Sequence, residues 1–138
     1  MKILIINGPN INFLGIREKE LYGTKNYEDL LKMIEQKAGE LNCQVEVFQS
    51  NHEGAMIDAI QGAYGKMDGI VINPAAFTHT SIALLDAIKA VGLPTVEVHL
   101  SDIAGREPFR RHSYISQACL ATISGQHFAG YQEALRLL

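Results

Sequence analysis

The stretch KILIIN, from Lys2 to Asn7, decides the fold because its four apolar residues follow one another without alternation. A strand with one wet face alternates apolar and polar residues, whereas an uninterrupted apolar run predicts a strand that is covered on both faces. Gly8 and Pro9 close the run and mark a turn. We therefore interpret residues 2–7 as the first and central strand of a sheet with helices on both sides.

Strand-like and helix-like segments alternate along the rest of the chain. Apolar or alternating runs predict further strands over 45–49, 69–73, 95–99 and near 120–124. Helical spacing of apolar residues predicts helices from the cap Asn26 to Leu41, over 53–64, from a cap at Thr78 to Val91, and from about Gln126. The charged stretches around 15–23 and 101–113 are predicted to be loops.

This alternation predicts the fold class. Strands that alternate with helices imply an α/β protein with a parallel sheet and right-handed crossovers. Five such strands favour a flavodoxin-like three-layer sandwich with the strand order 2-1-3-4-5. A length of 138 residues matches one domain, so we expect residues 1–138 to form a single catalytic domain.

Composition narrows the classes of function. The net charge of −3 leaves no basic excess, so we expect no nucleic acid partner. No apolar run approaches the roughly 20 residues that cross a bilayer, and the start of the chain lacks the features of a signal peptide. We therefore expect no membrane partner and a cytoplasmic location. Cys43 and Cys119 form neither a zinc knuckle nor a CxxC pair, and are expected to be free, buried thiols.

Polar residues gather where the predicted strands stop. Asn7 and Asn10 border the turn after the first strand, Asn73 ends the third, and His99 and Ser101 follow at the end of the fourth. In open parallel sheets, ligands bind outside the carboxyl ends of the strands, near the point where strand order reverses. Taken singly, each asparagine is better explained as a turn residue and each histidine as a cap or core group. Their combination predicts a small-molecule site.

Other ligands and reactions at these strand ends can be weighed against a small-molecule site. Neither GxGxxG nor GxxxxGK[ST] occurs, which disfavours nucleotides. A receiver domain would need carboxylates for a divalent cation, whereas the first and third strands end in asparagines. A Schiff-base enzyme would need a desolvated lysine at a strand end, and none of the seven lysines takes such a position. A silent module that holds a small carboxylate remains an alternative.

A series of motifs, in order and spacing across essentially the whole chain, carries a family resemblance. They are GPNINFLG at 8–15, Arg17 with Tyr22 and Gly23, QSN at 49–51, Asn73 with Pro74, FTHTS at 77–81, EVHLS at 97–101 and REPFRRHSY at 106–114. Together they resemble type II 3-dehydroquinate dehydratase. The resemblance implies the flavodoxin-like fold and an anti elimination of water, through an enolate, that gives 3-dehydroshikimate. It places the reaction in the shikimate pathway or in quinate catabolism, with no metal and no organic cofactor.

The resemblance also implies catalytic roles. Tyr22 is implied to be the base that removes a proton next to the ketone, and Arg17 its activator, because a guanidinium favours the phenolate of a group whose pKa is ordinarily near 10. His99 is implied to protonate the departing hydroxyl, with Glu97 orienting it. Asn73 is implied to hold the water that stabilises the enolate.

Further residues enter through the same resemblance. Asn10 is implied to position the catalytic loop, and the substrate contacts are Asn73, His79, Asp86, Leu100, Ser101 and Arg110. In the family, the residue that matches Asp86 reaches a neighbouring subunit's site, and trimers assemble into a dodecamer. Four places depart from the family pattern without replacing a residue that has a role: Ala75 for glycine, Asp102 for asparagine, Ala104 and Gly105 for His-Ala, and Pro108 for an acidic residue. Of these, Asp102 is expected to weaken binding of an anion at high pH.

Overall fold

The computed structural model describes residues 1–16 and 25–138. Within these ranges the strands are β1 (Lys2–Asn7), β2 (Gln44–Gln49), β3 (Gly69–Asn73), β4 (Thr95–His99) and β5 (Ala121–Ser124). The α-helices between and after them are α1 (Tyr27–Glu40), α2 (Glu53–Ala63), α3 (Ile82–Val91) and α4 (Ala129–Leu137). All strand pairs are parallel and the order is β2-β1-β3-β4-β5, which confirms the predicted flavodoxin-like sheet.

The apolar run of β1 is buried on both faces, as its sequence predicts. Ile3 and Ile5 belong to the core beneath α1 and α4, whereas Leu4 and Ile6 belong to the core beneath α2 and α3. Each fully buried isoleucine stabilises the fold by about 1.5–3 kcal/mol. This two-sided burial fixes the register in which Asn7 lies beside Asn73 at the carboxyl ends of β1 and β3.

Helix α1 begins where the sequence predicts. Asn26 is the N-cap, and its side chain accepts from the backbone N–H of Asp29 at 2.9 Å while the Asp29 carboxylate accepts from the backbone N–H of Asn26 at 3.0 Å. Such a capping box satisfies two N–H groups that have no partner inside the helix.

The prediction that Thr78 caps the third helix is wrong. Ser81 is the cap, and its Oγ accepts from the backbone N–H of Leu84 at 2.9 Å. Residues 75–79 form a short 3₁₀ turn instead, in which Thr78 is buried. The reason is the left-handed backbone of Ala75, with φ of 54°, which turns the chain before helical geometry can start.

One further boundary and the thiols differ from the sequence predictions. Helix α4 starts at Ala129 rather than near Gln126, because His127 has a left-handed φ of 51° and donates its backbone N–H to Leu100 O at 3.0 Å. Cys43 and Cys119 are free but only half-buried. Burial and, to a smaller extent, the Glu97 charge raise the pKa of Cys119 to about 12.

None of the helices in the described ranges has the length and apolar character needed to cross a membrane.

Candidate active site

A cleft opens at the carboxyl ends of β1, β3 and β4, where the strand-order rule places a ligand. It collects predicted site residues from four separate parts of the chain. Those that line it are Asn10, Asn73, His79, His99, Leu100, Ser101 and Arg110. The structure therefore brings together side chains that are up to 100 positions apart in sequence.

A second groove is larger but has a different character. It occupies about 960 Å³, against about 150 Å³ for the cleft, and lies along β2 and α2 beside Lys2, Asp58 and Lys66. It is not formed at the carboxyl ends of the strands, and it contains none of the histidines. Because convergent polar groups and not volume mark a site for chemistry, we assign the active site to the smaller cleft.

The turn after β1 forms one wall of the cleft. Gly8 donates its backbone N–H to Asn73 O at 2.8 Å, and a β-carbon added at Gly8 would lie 2.6 Å from Pro74 O. Only glycine therefore permits this close approach of the two turns. Asn10 adopts a left-handed conformation with φ of 67°, and its backbone N–H donates to Asn51 Oδ1 at 3.1 Å.

The turn after β3 forms the opposite wall. Asn73 is buried, and its Oδ1 accepts from the backbone N–H of Ala75 at 3.1 Å. Ala75 itself has a φ of 54°, a conformation that glycine adopts with less strain. This explains why the family pattern leads us to expect glycine there.

A buried carboxylate lies directly behind His99. Glu97 and His99 are two positions apart on β4, so their side chains share one face, and Glu97 Oε2 makes a short contact with His99 Nε2. Glu97 has no exposure to solvent and His99 only 5%. The contact uses Nε2, which leaves Nδ1 of His99 for a ligand in the cleft.

Two hydroxyls that the sequence analysis did not single out complete the surroundings of Glu97. Ser113 Oγ donates to the carboxylate, at 2.9 Å from Oε1 and 2.8 Å from Oε2, and Thr122 Oγ1 donates to Oε1 at 3.2 Å. Ser113 belongs to the REPFRRHSY motif, and Thr122 lies beside Glu97 in the β4–β5 register. No spacing rule within a single strand could have predicted either contact, because both cross between elements.

His79 is held in a defined tautomer. A carbonyl oxygen can only accept, so His79 Nδ1 donates to His112 O, at 2.7 Å, and Nε2 is the nitrogen without the proton in the neutral ring. Burial lowers the pKa of His79, and the charges of His99, Arg110 and Arg106 lower it further against the effect of the His112 hydrogen bond. A neutral His79 can accept a hydrogen bond from a hydroxyl group of a ligand.

Two arginines make the cleft suitable for an anion. Arg106 and Arg110 both line it, and Glu107, on its outer side, lies 3.0 Å from Arg110 Nε and 4.0 Å from Arg106 Nε. The nearby Arg110 and Arg106 charges help to lower the pKa of Glu107, after the larger effect of its own backbone hydrogen bond. Arg106 appears in the sequence only within the REPFRRHSY motif and without a role of its own, and its position in the cleft is a finding of the structure.

Leu100 and Ser101 enter the cleft as part of a fixed turn. The carbonyl oxygen of Leu100 accepts from His127 N–H at 3.0 Å, and that of Ser101 accepts from Gly125 N–H at 3.2 Å. Both residues are largely buried. These bonds hold the backbone at the end of β4, where the family resemblance implies contacts with the substrate.

One predicted site residue in the described part of the chain lies away from the cleft, and two others lie outside that part. Asp86 is exposed on α3 and does not line the cleft. Tyr22 and Arg17 lie outside the described residues. Their roles stay predictions that rest on the family resemblance.

The residues that depart from the family pattern are not those with an implied catalytic or substrate-binding role. Asp102 is exposed, and its carboxylate accepts from Ala104 N–H at 3.0 Å, which caps a short 3₁₀ turn over Ile103–Gly105. Pro108 begins the next 3₁₀ turn, Pro108–Arg110, where its fixed φ is well suited. These residues shape the wall that carries Arg106 and Arg110.

Lysine chemistry and metal binding receive no support from the described ranges. None of the lysines in residues 1–16 and 25–138 lines the cleft. In the same ranges, no three His, Cys, Asp or Glu side chains converge in a way that would hold a metal ion.

Comparison with known proteins agrees with this geometry. A family model described as dehydroquinase class II matches residues 1–138. A 3-dehydroquinate dehydratase of Clostridium acetobutylicum is 59% identical over 131 residues, which are 95% of this chain and 91% of that protein. Solved structures of type II dehydroquinases from Butyrivibrio crossotus and Propionibacterium acnes give TM-scores of 0.97 and 0.94 at 52% and 42% identity. Each match covers 99% of this chain, and 96% and 94% of those chains respectively. The chain belongs to the class II dehydroquinase family.

Proposed function

We propose that the chain dehydrates 3-dehydroquinate to 3-dehydroshikimate, by an anti elimination through an enolate, in the shikimate pathway or in quinate catabolism. The observation that carries this proposal is the buried Glu97–His99 pair, whose imidazole lines the same cleft as Asn73 and two arginines. An acid, an amide donor and a cationic wall are the groups that elimination from an anionic hydroxyketone requires. Residues 1–138 are proposed to act as one catalytic domain.

The first step is the loss of a proton from the carbon next to the ketone. We assign the base to Tyr22, whose phenolate would be favoured by the Arg17 guanidinium. The electron pair of the broken C–H bond moves onto the ketone oxygen and forms an enolate. Asn73 would stabilise that oxygen through a bound water, and Asn10 would help to position the catalytic loop.

The second step expels the hydroxyl group. The enolate reforms the ketone, a carbon–carbon double bond forms, and the C–O bond breaks as His99 Nδ1 supplies a proton, so that water leaves. Glu97 stabilises the protonated imidazole through Nε2. Because each turnover leaves the tyrosine protonated and the histidine neutral, one proton then returns from the former to the latter through solvent. The assigned side chains carry every proton transfer of the reaction, so the proposal requires no metal and no organic cofactor.

Substrate recognition follows the charges and donors of the cleft. We propose that the substrate carboxylate meets the backbone amides of Leu100 and Ser101. The ring hydroxyls would meet His79, Arg110 and the Asp86 of a neighbouring subunit, with the lone pair of His79 Nε2 accepting from one of them. Asp102 adds a negative charge outside the cleft and is expected to affect binding only weakly.

Turnover tests the proposal directly. 3-Dehydroquinate is mixed with micromolar protein, and the conjugated enone product is followed by ultraviolet absorbance. Tyr22→Phe and His99→Ala are each expected to remove most of the turnover, whereas the exposed control Lys66→Ala should retain it. No absorbance rise with the wild-type protein would instead support a silent module that only holds a carboxylate. Covalent trapping of the substrate by borohydride would contradict the mechanism in favour of a Schiff base.

Assembly and location belong to the same proposal. The exposed position of Asp86, away from its own chain's cleft, is consistent with a role in a neighbouring subunit's site, within a dodecamer of trimers. We propose this assembly and a cytoplasmic location. Light scattering would measure the mass, and Asp86→Ala should lower kcat/KM without changing the fold of the chain. A monomer with full activity would contradict the role of Asp86.

A further inference from the structure

A chain of hydrogen bonds runs beneath the cleft, through residues that the mechanism does not use. Asn73 Nδ2 donates to Tyr131 Oη at 3.0 Å, and Tyr131 Oη donates to Asn7 Oδ1 at 2.7 Å. Asn7 Nδ2 then donates to Tyr27 Oη at 3.3 Å. Asn7 and Tyr131 have no exposure to solvent, and Asn73 has 2%. Tyr131 comes from α4, so this bond links the last helix to a residue that lines the cleft.

One backbone N–H fixes the direction of every bond in this chain. The N–H of Ala75 can only donate, so the side-chain oxygen of Asn73 must face it, at 3.1 Å. The Asn73 amide nitrogen therefore faces Tyr131, whose oxygen must accept and whose proton must go to Asn7 Oδ1. Burial raises the pKa of Tyr131, which keeps that proton on the hydroxyl.

The fixed orientation determines what Asn73 offers to a ligand. Its amide nitrogen carries two protons, and among the described residues only Tyr131 receives one of them. The second proton remains for the cleft that Asn73 lines. If the Asn73 amide flipped by 180°, its oxygen would face the cleft in place of its nitrogen. A negative enolate oxygen, or the water bound to it, would then lose its hydrogen-bond donor.

We propose that Tyr131 is a positioning residue for the reaction, which it serves by holding the Asn73 amide in its donor orientation while Asn7 holds the Tyr131 hydroxyl. The inference rests on the dehydration proposed above. It differs from an ordinary packing role because the ring of Tyr131, already buried in the core beneath α1 and α4, would pack equally well without its oxygen. The bonds that the hydroxyl makes go to Asn73 and Asn7, the two residues at the ends of β3 and β1.

Tyr131→Phe isolates that hydroxyl. It keeps the ring but removes the acceptor of Asn73 and the donor of Asn7. We expect kcat to fall about tenfold with KM changed less than about threefold, which is the effect expected when one hydrogen bond that orients a transition-state contact is lost. The matched control is Tyr64→Phe, the same change at a residue that is 70% exposed, and it should alter neither constant.

A double-mutant cycle separates positioning from stability. In an Asn73→Ala background there is no amide to orient, so Tyr131→Phe should then change kcat less than about twofold. Urea unfolding of each variant establishes the folded fraction at the assay conditions. An equal loss of kcat in both backgrounds, or no loss in either, would overturn the inference.

The remaining outcomes are also decisive. If Tyr131→Phe does not fold, Tyr27→Phe replaces it, because this half-buried residue only supports Asn7 at the end of the chain of bonds. A small fall in kcat that disappears in the Asn73→Ala background would support the proposal, and an unchanged kcat would overturn it. Failure of the wild-type protein to turn over 3-dehydroquinate would instead reject the proposed function itself, so the two failures are distinguishable.

Discussion

Replacing Glu97 by glutamine tests whether the buried charge behind His99 drives the proton donation. Glu97→Gln keeps the shape of the side chain and removes only its negative charge. The carboxylate is wholly buried, and His99, Ser113 and Thr122 are its hydrogen-bond partners in the described part of the chain. No cation other than a protonated His99 is among these partners, so the charge acts chiefly on the imidazole.

The expected loss follows from that single bond. A hydrogen bond to a charged group contributes about 1.5–3 kcal/mol, and one that stabilises the acid form of His99 acts on the rate of hydroxyl expulsion. Since about 1.4 kcal/mol corresponds to a factor of ten, kcat should fall by about 10- to 150-fold.

The assay is the ultraviolet absorbance of the enone at saturating substrate, at several pH values. Glu46→Gln is a matched control, the same chemical change at an exposed position of the parallel strand β2, and it should leave kcat unchanged. Urea unfolding checks that Glu97→Gln is folded at the assay conditions. If the folded Glu97→Gln variant keeps kcat within threefold of the wild type, Glu97 does not support the acid and the reasoning fails.

Three further changes probe the two turns and the cleft wall. Gly8→Ala places a methyl group within 2.6 Å of Pro74 O, so urea unfolding should show a loss of about 2 kcal/mol or more, and kcat should fall as the turns move apart. Ala75→Gly relieves a left-handed backbone and should raise the free energy of unfolding by about 0.5–1 kcal/mol. Because the pKa of His79 is lowered in the folded protein, the unfolded chain binds a proton at this residue first as the pH drops. The free energy of unfolding should therefore fall as the pH drops through 6.5. In urea titrations, His79→Gln should reduce this dependence of the unfolding free energy on pH.

Each of these changes has an outcome that contradicts its reasoning. An unaltered Gly8→Ala protein would mean that the turns are not in close contact. A destabilised Ala75→Gly protein would mean that backbone strain at this residue is negligible compared with the greater freedom of glycine in the unfolded chain. Equal pH slopes for the wild type and His79→Gln would assign the acid sensitivity to other groups.

The sheet could be predicted because its signals are local. The unbroken apolar run of β1 and the helical spacing that follows Asn26 depend only on neighbours in sequence, and both elements lie where predicted. The helix starts at Ile82 and Ala129 could not be predicted so well. Each follows a left-handed residue, Ala75 or His127, whose conformation is set by contacts with other parts of the fold.

The site residues also differ in how far local sequence could predict them. The strand-order rule correctly placed Asn73 and His99 at one rim, because the carboxyl ends of parallel strands meet there. Thr122 was not given a role from the sequence, because its bond to Glu97 depends on the register between β4 and β5. Ser113 and Arg106 were not given roles because the segment from 101 to 113 has no periodicity that shows which side chains turn inward. Only the packing of that segment against β4 selects them.

Asn73 shows why the two interpretations of a polar residue at a strand end need not compete. From the sequence alone, an asparagine there is better explained as a turn residue that bonds its own backbone, and Asn73 does this by accepting from Ala75 N–H. That same bond decides which end of the amide is the donor, and Tyr131 can then hold the amide nitrogen from below. The turn bond therefore gives the Asn73 amide its direction, so that the side-chain oxygen serves the turn while the nitrogen is left as a donor.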